Sequence, residues 1–506
     1  MTLYIVGIGG TGAKCVEAVI HLAAVGLFTE EPIKLLFIDA DESNGNLERA
    51  RTSLSIYQKC FELLKGEKQQ SSWMKTPIES SDLWSPFNQK SINKNLGSFY
   101  GYNNLKQNYQ VLGNLFDILY TKNEREVELD VGFRGRPAIG SAIMSQIDLD
   151  ALDEEPWRTI INQIQGDVGA GKQVKIFLCG SIFGGTGASG LPTIGRLIAN
   201  KLKKSSIRDR VKIACLFVLP YFNFSPEAGE DPNEVYAQAD LFLLNTEAAL
   251  RYYENQAQEI FDTVYLLGNQ NSTQVKFSIG KKTQRNQSHF LELYAATAAR
   301  QFLLNTPKSG TVMLVGREGE KKLSWSDIPE ENVIKSELVN ATRFAYAWRA
   351  STASELANAK EKGIDWAQRY INWFSRFYRP NAGMLGKIFD KKGEELPDFA
   401  DPKEQAAVRI VTNWCQDYLR WLHDLHICQG DDIQLFVSRS FTNFEGQLKQ
   451  EEFSSLVMND SRPKDKQLQD TVQRLHVSLT SEPRNLNPPN QGTAGLSKAL
   501  YILCRL

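Results

Sequence analysis

The sequence predicts an α/β protein built on a doubly wound, mainly parallel sheet and followed by a helix-rich C-terminal domain. Three observations carry that expectation. Short apolar runs alternate with helical patterns over about the first 305 residues, the rhythm of a parallel sheet with crossover helices. Two glycine loops, Gly7-Ile8-Gly9-Gly10-Thr11-Gly12 and Gly184-Gly185-Thr186-Gly187-Ala188-Ser189-Gly190, each stand between a strand pattern and a helix pattern. Beyond Gly310 a single strand-like run, Thr311 to Val315, gives way to long helical stretches.

The elements follow in order. Leu3 to Ile8 reads as a strand, Ala13 to Leu27 as a helix, and Ile33 to Ile38 as a second strand ending at Asp39-Ala40-Asp41, together a βαβ unit. Residues 43–126 break the rhythm with asparagine- and serine-rich text and scattered aromatics, read as a mainly helical excursion. Val127 to Val131 resumes as a short strand, followed by the loop Gly132 to Gly140 and a helix from Ser141, with another helix over Trp157 to Gln165. Val174 to Cys179, Val211 to Leu219 and Thr263 to Leu267 are apolar runs of the buried-strand type, and Pro232 to Glu254 between the last two is helical in pattern. His289 to Leu304 carries alanines at 295, 296, 298 and 299, the composition of a closely packed, central helix. Asn332 to Lys360, Trp366 to Phe377 and Lys403 to Ile427 are helical. Pro380, Gly383, Gly386 and the charged stretch Asp390 to Asp401 mark a loop. Arg462-Pro463 and Pro483 through Pro489 read as loops between short helices. The expected division is a nucleotide-binding domain over 1–305, including the excursion and the central helix 289–304, and a helix-rich domain over 306–506.

Composition narrows the class. A chain of 506 residues is long enough for two or three domains, and 58 basic against 59 acidic residues, a net charge of -1, announce neither nucleic acid nor an anionic membrane as partner. The seven cysteines include no C-x-x-C pair, which reads as reduced, intracellular thiols. The N-terminus enters a strand at Leu3 with no basic or cleavable apolar leader, so no secretory signal is expected. The longest apolar run, Ile213 to Phe222, is interrupted by Pro220 and falls short of the roughly 18 residues a membrane span needs. A soluble, cytoplasmic protein is the expectation.

A glycine loop between a strand and a helix cradles phosphate, because glycine admits close backbone approach while the helix N-terminus offers unpaired N–H groups and a partial positive charge. Two such loops in one α/β domain imply a polyphosphate held from both sides. Gly7, Gly9, Gly12 and Asp39 also satisfy the dinucleotide fingerprint, with Asp39 on the ribose hydroxyls, the pattern of an NAD(P)- or FAD-dependent oxidoreductase. That alternative leaves the second loop without a task.

The two loops, their order and the elements between them resemble the tubulin and FtsZ superfamily of GTPases, and within it an outlying bacterial tubulin-like protein. The resemblance implies GTP with magnesium, wrapped by Gly9, Gly10, Thr11 and Gly12 on one side and by Gly184, Gly185, Thr186, Gly187 and Ala188 on the other. Phe183 stands where the family has its first glycine, and Ala188-Ser189 where Ser/Thr-Gly would follow. By the same resemblance Asp39 and Asp41 lie near the metal and phosphates. Arg134 and Arg136 flank the γ-phosphate-sensing loop, where guanidinium donors suit phosphate oxygens; the alternative is solvated arginines on a turn. Asn269 falls where an asparagine bonds guanine, and Phe290 at the start of the central helix is placed to stack on the base, against a plain core role.

In FtsZ-like proteins a loop after the central helix presents two acids to the nucleotide of the next subunit. In Leu323 to Ile328, Asp327 keeps the second acid and Ser324 replaces the first, which implies slow hydrolysis unless Asp327, Glu330 or Glu331 takes over. The implied partner is another copy of the chain, joined head to tail into an open filament, with the C-terminal helices available to a further protein partner. A scaffold that senses GTP without polymerising is the competing reading. His423-x-x-His426-x-Cys428 with Cys415 could form a metal cluster, but its spacing fits no common zinc pattern, and helix packing is the better account. Neither G-x-S-x-G nor the P-loop pattern occurs.

Overall fold

The computed structural model describes residues 1–65, 72–87, 94–150, 154–224, 237, 239–269, 272–278, 280–317, 323–380, 396–429, 434–437, 448–480 and 491–506. The strands are β1 (Thr2–Ile8), β2 (Ile33–Ile38), β3 (Ile78–Ser80), β4 (Val174–Ser181), β5 (Val211–Val218), β6 (Phe222–Asn223), β7 (Thr263–Leu267), β8 (Thr273–Gln274) and β9 (Thr311–Val315). Seven of them form one parallel sheet in the order β3-β2-β1-β4-β5-β7-β9, and β6 and β8 pair separately. Every residue of β1 and β4 is buried, which is why both read as nearly unbroken apolar runs: helices cover the two faces of a parallel sheet.

The helices of this part are α1 (Gly9–Ala24), α2 (Gly45–Leu64), the short α3 (Leu96–Phe99), α4 (Tyr102–Asn108), α5 (Gln110–Leu119) and α6 (Lys122–Glu126), then α7 (Pro137–Met144), α8 (Trp157–Gly169), α9 (Thr186–Lys204), α10 (Phe242–Ile260) and α11 (Phe290–Leu304). The excursion over 43–126 is largely helical, apart from β3 and the turns over 72–77 and 81–87; residues 66–71 and 88–93 lie outside the described residues. β1 begins one residue before the predicted strand, and β7 and β9 match theirs.

Three expectations are corrected. Val127 to Val131 is not a strand: its alternating Val127 and Leu129 are buried, but the backbone bonds Lys94 through Leu129 rather than a sheet neighbour. α7 starts at Pro137, four residues before Ser141, because proline needs no N–H partner at the first helical position. The helix predicted from Pro232 begins at Phe242, with 232–236 outside the described residues.

The chain divides into two compact units. One comprises Met1–Val19, Glu31–Thr52 and Ile78–Pro329; the other comprises Ile20–Glu30, Ser53–Pro77 and Glu330–Leu506. The second unit contains α12 (Glu331–Ala347), α13 (Ala353–Lys362), α14 (Ile364–Tyr370), α15 (Phe374–Phe377), α16 (Pro402–Gln429), α17 (Lys464–Leu468), α18 (Val472–Thr480) and α19 (Gly492–Leu503). A π-helical turn, Trp348–Thr352, makes α12 and α13 one continuous rod, as the single pattern over 332–360 anticipated. Trp73 anchors this unit's core, stacked on Tyr501 at 5.0 Å with Phe344 at 4.6 Å and Trp414 at 5.2 Å. Gly383, Gly386 and Pro483 through Pro489 lie outside the described residues, as does the side chain of Cys428. Cys415 is buried within α16, and His426 shares a hydrogen bond with Gln434 at 3.2 Å. Among the described residues no helix is long and apolar enough to cross a membrane.

α11 is buried on nearly all sides from Phe290 to Ala299, which its alanines permit by allowing close helix–sheet approach. Its start is fixed by a reciprocal cap: the His289 ring accepts the Leu291 N–H at 3.1 Å, and Glu292 accepts the His289 N–H at 2.8 Å. Burial, and then the Lys14 charge, hold His289 down at about 3, far below the ordinary 6.5. The folded chain keeps this ring neutral, whereas the unfolded chain takes up a proton below pH 6.5, so stability is lost as pH falls from 6.5 toward 3. His289→Asn preserves a capping acceptor and removes the titration. Its stability relative to wild type should improve by about 1.4 kcal/mol for each pH unit descended between pH 6 and 4, read from urea midpoints; a constant difference would contradict this origin.

Candidate functional site

The carboxyl ends of β1 and β4 open into a cleft lined by residues of both glycine loops. These strands are direct neighbours with Gly7 opposite Cys179, so the loops that follow them leave the sheet side by side. Gly9 has φ +73°, and a Cβ built on it would stand 3.3 Å from the Gly187 nitrogen. The two glycine loops therefore run so close that a side chain at position 9 would press on the second. α1 and α9 start there, and neither has an acid in its first turn. The N-cap of α9, Gly185, offers no side-chain cap, so the first N–H groups of α9 lack both intrahelical and capping partners. Two positive helix ends meet one cleft with no carboxylate of their own to neutralise them.

Of the residues predicted for the first loop, Gly9, Gly10 and Thr11 line the cleft. Gly12 does not. A Cβ there would meet the Cys179 oxygen at 2.6 Å, which makes Gly12 the position where α1 packs on β4. Gly184, Gly185, Thr186 and Gly187 line the opposite wall, while Ala188 is buried behind them within α9. Phe183 adopts a role its place in the loop did not announce: its ring lies 4.7 Å from Phe242 and 5.3 Å from Phe222, anchoring an aromatic wall that includes Phe224 and Phe277.

Asp39 faces the cleft with 3% exposure. Its Oδ1 accepts the Asp41 N–H at 3.2 Å and the Thr186 hydroxyl at 3.4 Å, tying the β2 loop to the second glycine loop. Its Oδ2 is buried without a hydrogen-bond partner among the described residues. Burial pushes this carboxyl up to about 7, against the opposing pull of the Asp41 N–H. Asp41 also lines the cleft but is spent on structure: Oδ1 accepts the Ser43 N–H and hydroxyl at 3.0 Å each, and Oδ2 accepts the Lys281 N–H at 2.5 Å.

The remaining predicted residues separate. Arg134, at φ +50°, lines the cleft, whereas Arg136 turns to Glu124 at 3.0 Å. Asn269 is buried beside β7 and does not line the cleft, although its Oδ1 has no hydrogen-bond partner among the described residues. Phe290 is fully buried with its ring edge-on to Trp325 at 5.3 Å, so no face of it is open to a base; with α11 buried on all sides, helical phase gave no clue to this. Asp327 lies outside the cleft, where it caps the turn Trp325–Asp327 and takes two 3.0 Å bonds from Arg317 Nε. Burial raises its carboxyl, but the Arg317 and Ser324 donors outweigh that and hold it below the ordinary value.

Sequence reasoning missed several cleft residues. Asn44 caps the start of α2 and donates to Gln284 at 2.7 Å; Asn46 donates to Asn286 at 3.2 Å. Behind the lining, Arg49, paired with Glu17 at 2.9 Å, donates to the Asn286 carbonyl. Lys14 lines the cleft as well. The only signal for this set was the run Ser43-Asn44-Gly45-Asn46 after the second strand, because its partners lie some 240 residues away in sequence.

Paired glycine loops on adjacent parallel strands, with an acid from the next strand between them, fit an α/β domain of the tubulin type. The family model described as "Tubulin like" matches residues 4–307, more than half of the chain, and the chain belongs to that family. Among solved structures, CetZ from Methanosaeta thermophila strain DSM 6194 is 14% identical, with 60% of this chain and 53% of that chain covered and a TM-score of 0.24. The GDP-bound monomer of CetZ1 from Haloferax volcanii is 14% identical over 53% and 51% with a TM-score of 0.22. TubZ of Bacillus thuringiensis serovar israelensis, in a GTPγS-form protofilament, is 10% identical over 60% and 55% with a TM-score of 0.23. The chain spans about half the length of these structures. No curated protein matches it.

The geometry separates packing glycines from cleft glycines. Gly12→Ala sets a Cβ against backbone at 2.6 Å and should cost roughly 1–3 kcal/mol. Gly10→Ala meets only the side-chain ends of Asn44 and Asn46 at 3.3 Å, so its melting temperature should stay near wild type while ligand affinity falls. Thermal melts of the two variants check this; equal destabilisation would contradict it.

Proposed function

We propose that the cleft binds GTP with a magnesium ion, and that the nucleotide-bound chain self-associates head to tail. The observation that carries this reading is the convergence of two acid-free helix N-termini on one cleft, an arrangement that fits a polyphosphate rather than a single phosphate. The dinucleotide alternative needs only the first loop, whereas here the second shares the cavity.

The residues fit a hard cation. Asp39 Oδ2 is a buried carboxylate oxygen with no hydrogen-bond partner among the described residues, beside the Thr186 hydroxyl, and oxygen donors of this kind suit Mg2+ held jointly with phosphate oxygens. Asp39 would hold the ion directly, and Asp41 would keep the loop in shape. A bound magnesium would neutralise charge building on the phosphates. Arg134, which lines the same cleft, would serve the phosphates as a guanidinium donor, and the aromatic wall of Phe222, Phe224 and Phe277 would receive the base.

Turnover is slow in this account. Asp327, the acid the family resemblance assigns to the next subunit's nucleotide, is engaged by Arg317, and Ser324 is no base. This engagement favours the second reading too: a chain that binds GTP and neither polymerises nor hydrolyses.

Calorimetry with GTP, ATP and NAD in magnesium separates the classes, and GTP should bind tightest. Asp39→Asn should remove most of the magnesium dependence of that affinity; an unchanged dependence would remove Asp39 from the metal site. Sedimentation with GTP, GDP and no nucleotide tests assembly, and equal pelleting in all three would refute nucleotide-gated association. In phosphate-release assays Asp327→Ala should abolish the residual hydrolysis, by roughly 100-fold or more if the acid acts on water.

A further inference from the structure

A buried ammonium borders the cleft at its aromatic end. Lys14 has 4% exposure yet lines the cavity, and its Nζ lies 2.5 Å from Glu292 Oε1 and 5.5 Å from the Tyr221 ring centre. Glu292, 1% exposed, is engaged: the Tyr221 hydroxyl donates to Oε1 at 2.6 Å and the His289 N–H to Oε2 at 2.8 Å. The carboxylate already accepts three bonds and is outside the cleft lining, so it does not face a ligand in the cleft. Lys14 is the opposite case, since an ammonium carries three donors and Glu292 accepts one.

Lys14 lies one turn of α1 beyond Thr11, and its neighbours link it to the aromatic wall. It contacts Tyr221 and Glu292, and Tyr221 adjoins that wall through Phe222 at 5.1 Å. A planar base stacked on that wall turns an edge, not a face, to the ammonium. Donors select an edge that accepts: a 6-oxopurine presents O6 and N7 as adjacent acceptors, while a 6-aminopurine opposes a donor with its own amino group.

We infer that Lys14 is the specificity-determining residue of this cleft, reading the O6/N7 edge of a 6-oxopurine while Glu292 holds it in place. The inference rests on the nucleotide-binding reading above and adds to it the group that chooses the base.

The test is calorimetry of the full chain with GTP, ITP and ATP in magnesium. Wild type should bind GTP and ITP alike and ATP roughly 10- to 100-fold more weakly, the range for a hydrogen bond from a charged donor. Lys14→Met strands the Glu292 charge, so the variant to use beside it is the double substitution Lys14→Met with Glu292→Gln, which removes both charges at near-constant volume. That variant should retain triphosphate binding and lose the discrimination against ATP. Retained discrimination, or an equal loss for all three ligands, would overturn the role of Lys14. ITP binding much weaker than GTP would overturn it as well, by placing recognition at the 2-amino group. If wild type bound none of the three, the nucleotide reading itself would fall; equal wild-type binding of all three would leave the polyphosphate cradle standing and remove only the base reader.

Discussion

The rest of this structure depends on the pairing of β1 with β4. Because the strands are parallel neighbours in register, the backbone after Ile8 and the backbone after Ser181 emerge at the same edge, and Gly9 can touch Thr186 and Gly187. A side chain at position 9 would demand a left-handed conformation that L-residues rarely adopt and would also press on the second loop. The contact brings two helix N-termini within reach of one ligand. It also fixes where Asp39 lies, since β2 is the next strand over and its loop closes onto Thr186.

Charge in the cleft follows from that arrangement. The helix ends offer N–H donors and Arg134 a guanidinium, and the acids present are Asp39 and Asp41, the second of them already committed to the backbone of Ser43 and Lys281. Burial pushes the Asp39 carboxyl up to about 7. Aromatic rings and one tethered ammonium line the cleft as well, so polar loop backbone and apolar rings share one cavity.

Much of the fold was legible because parallel sheets bury both faces and so leave unbroken apolar runs, and because glycine is the residue a phosphate loop's backbone geometry selects. The short edge strand β3 and the two-residue strands β6 and β8 were not legible, since so few residues show no period. The site divides along the same line. Backbone requirements, at Gly9, Gly10 and Gly184 to Gly187, could be read directly. Side-chain roles that depend on which way a helix faces could not: Phe290 turned into the core, Arg136 turned to Glu124, and Lys14, which no motif marked, turned into the cleft. The amide pairs Asn44–Gln284 and Asn46–Asn286 join segments some 240 residues apart, and only the folded chain brings them together.

The central claim is that the two glycine loops act as one cradle for a chain of phosphates. Titration calorimetry of the full chain with GTP, GDP and GMP at fixed magnesium addresses it most directly, since the three ligands differ only in phosphate number. The account predicts that affinity rises with each phosphate, with GTP at least about 100-fold tighter than GMP, or roughly 2.7 kcal/mol. Equal affinities for GTP and GMP would contradict it.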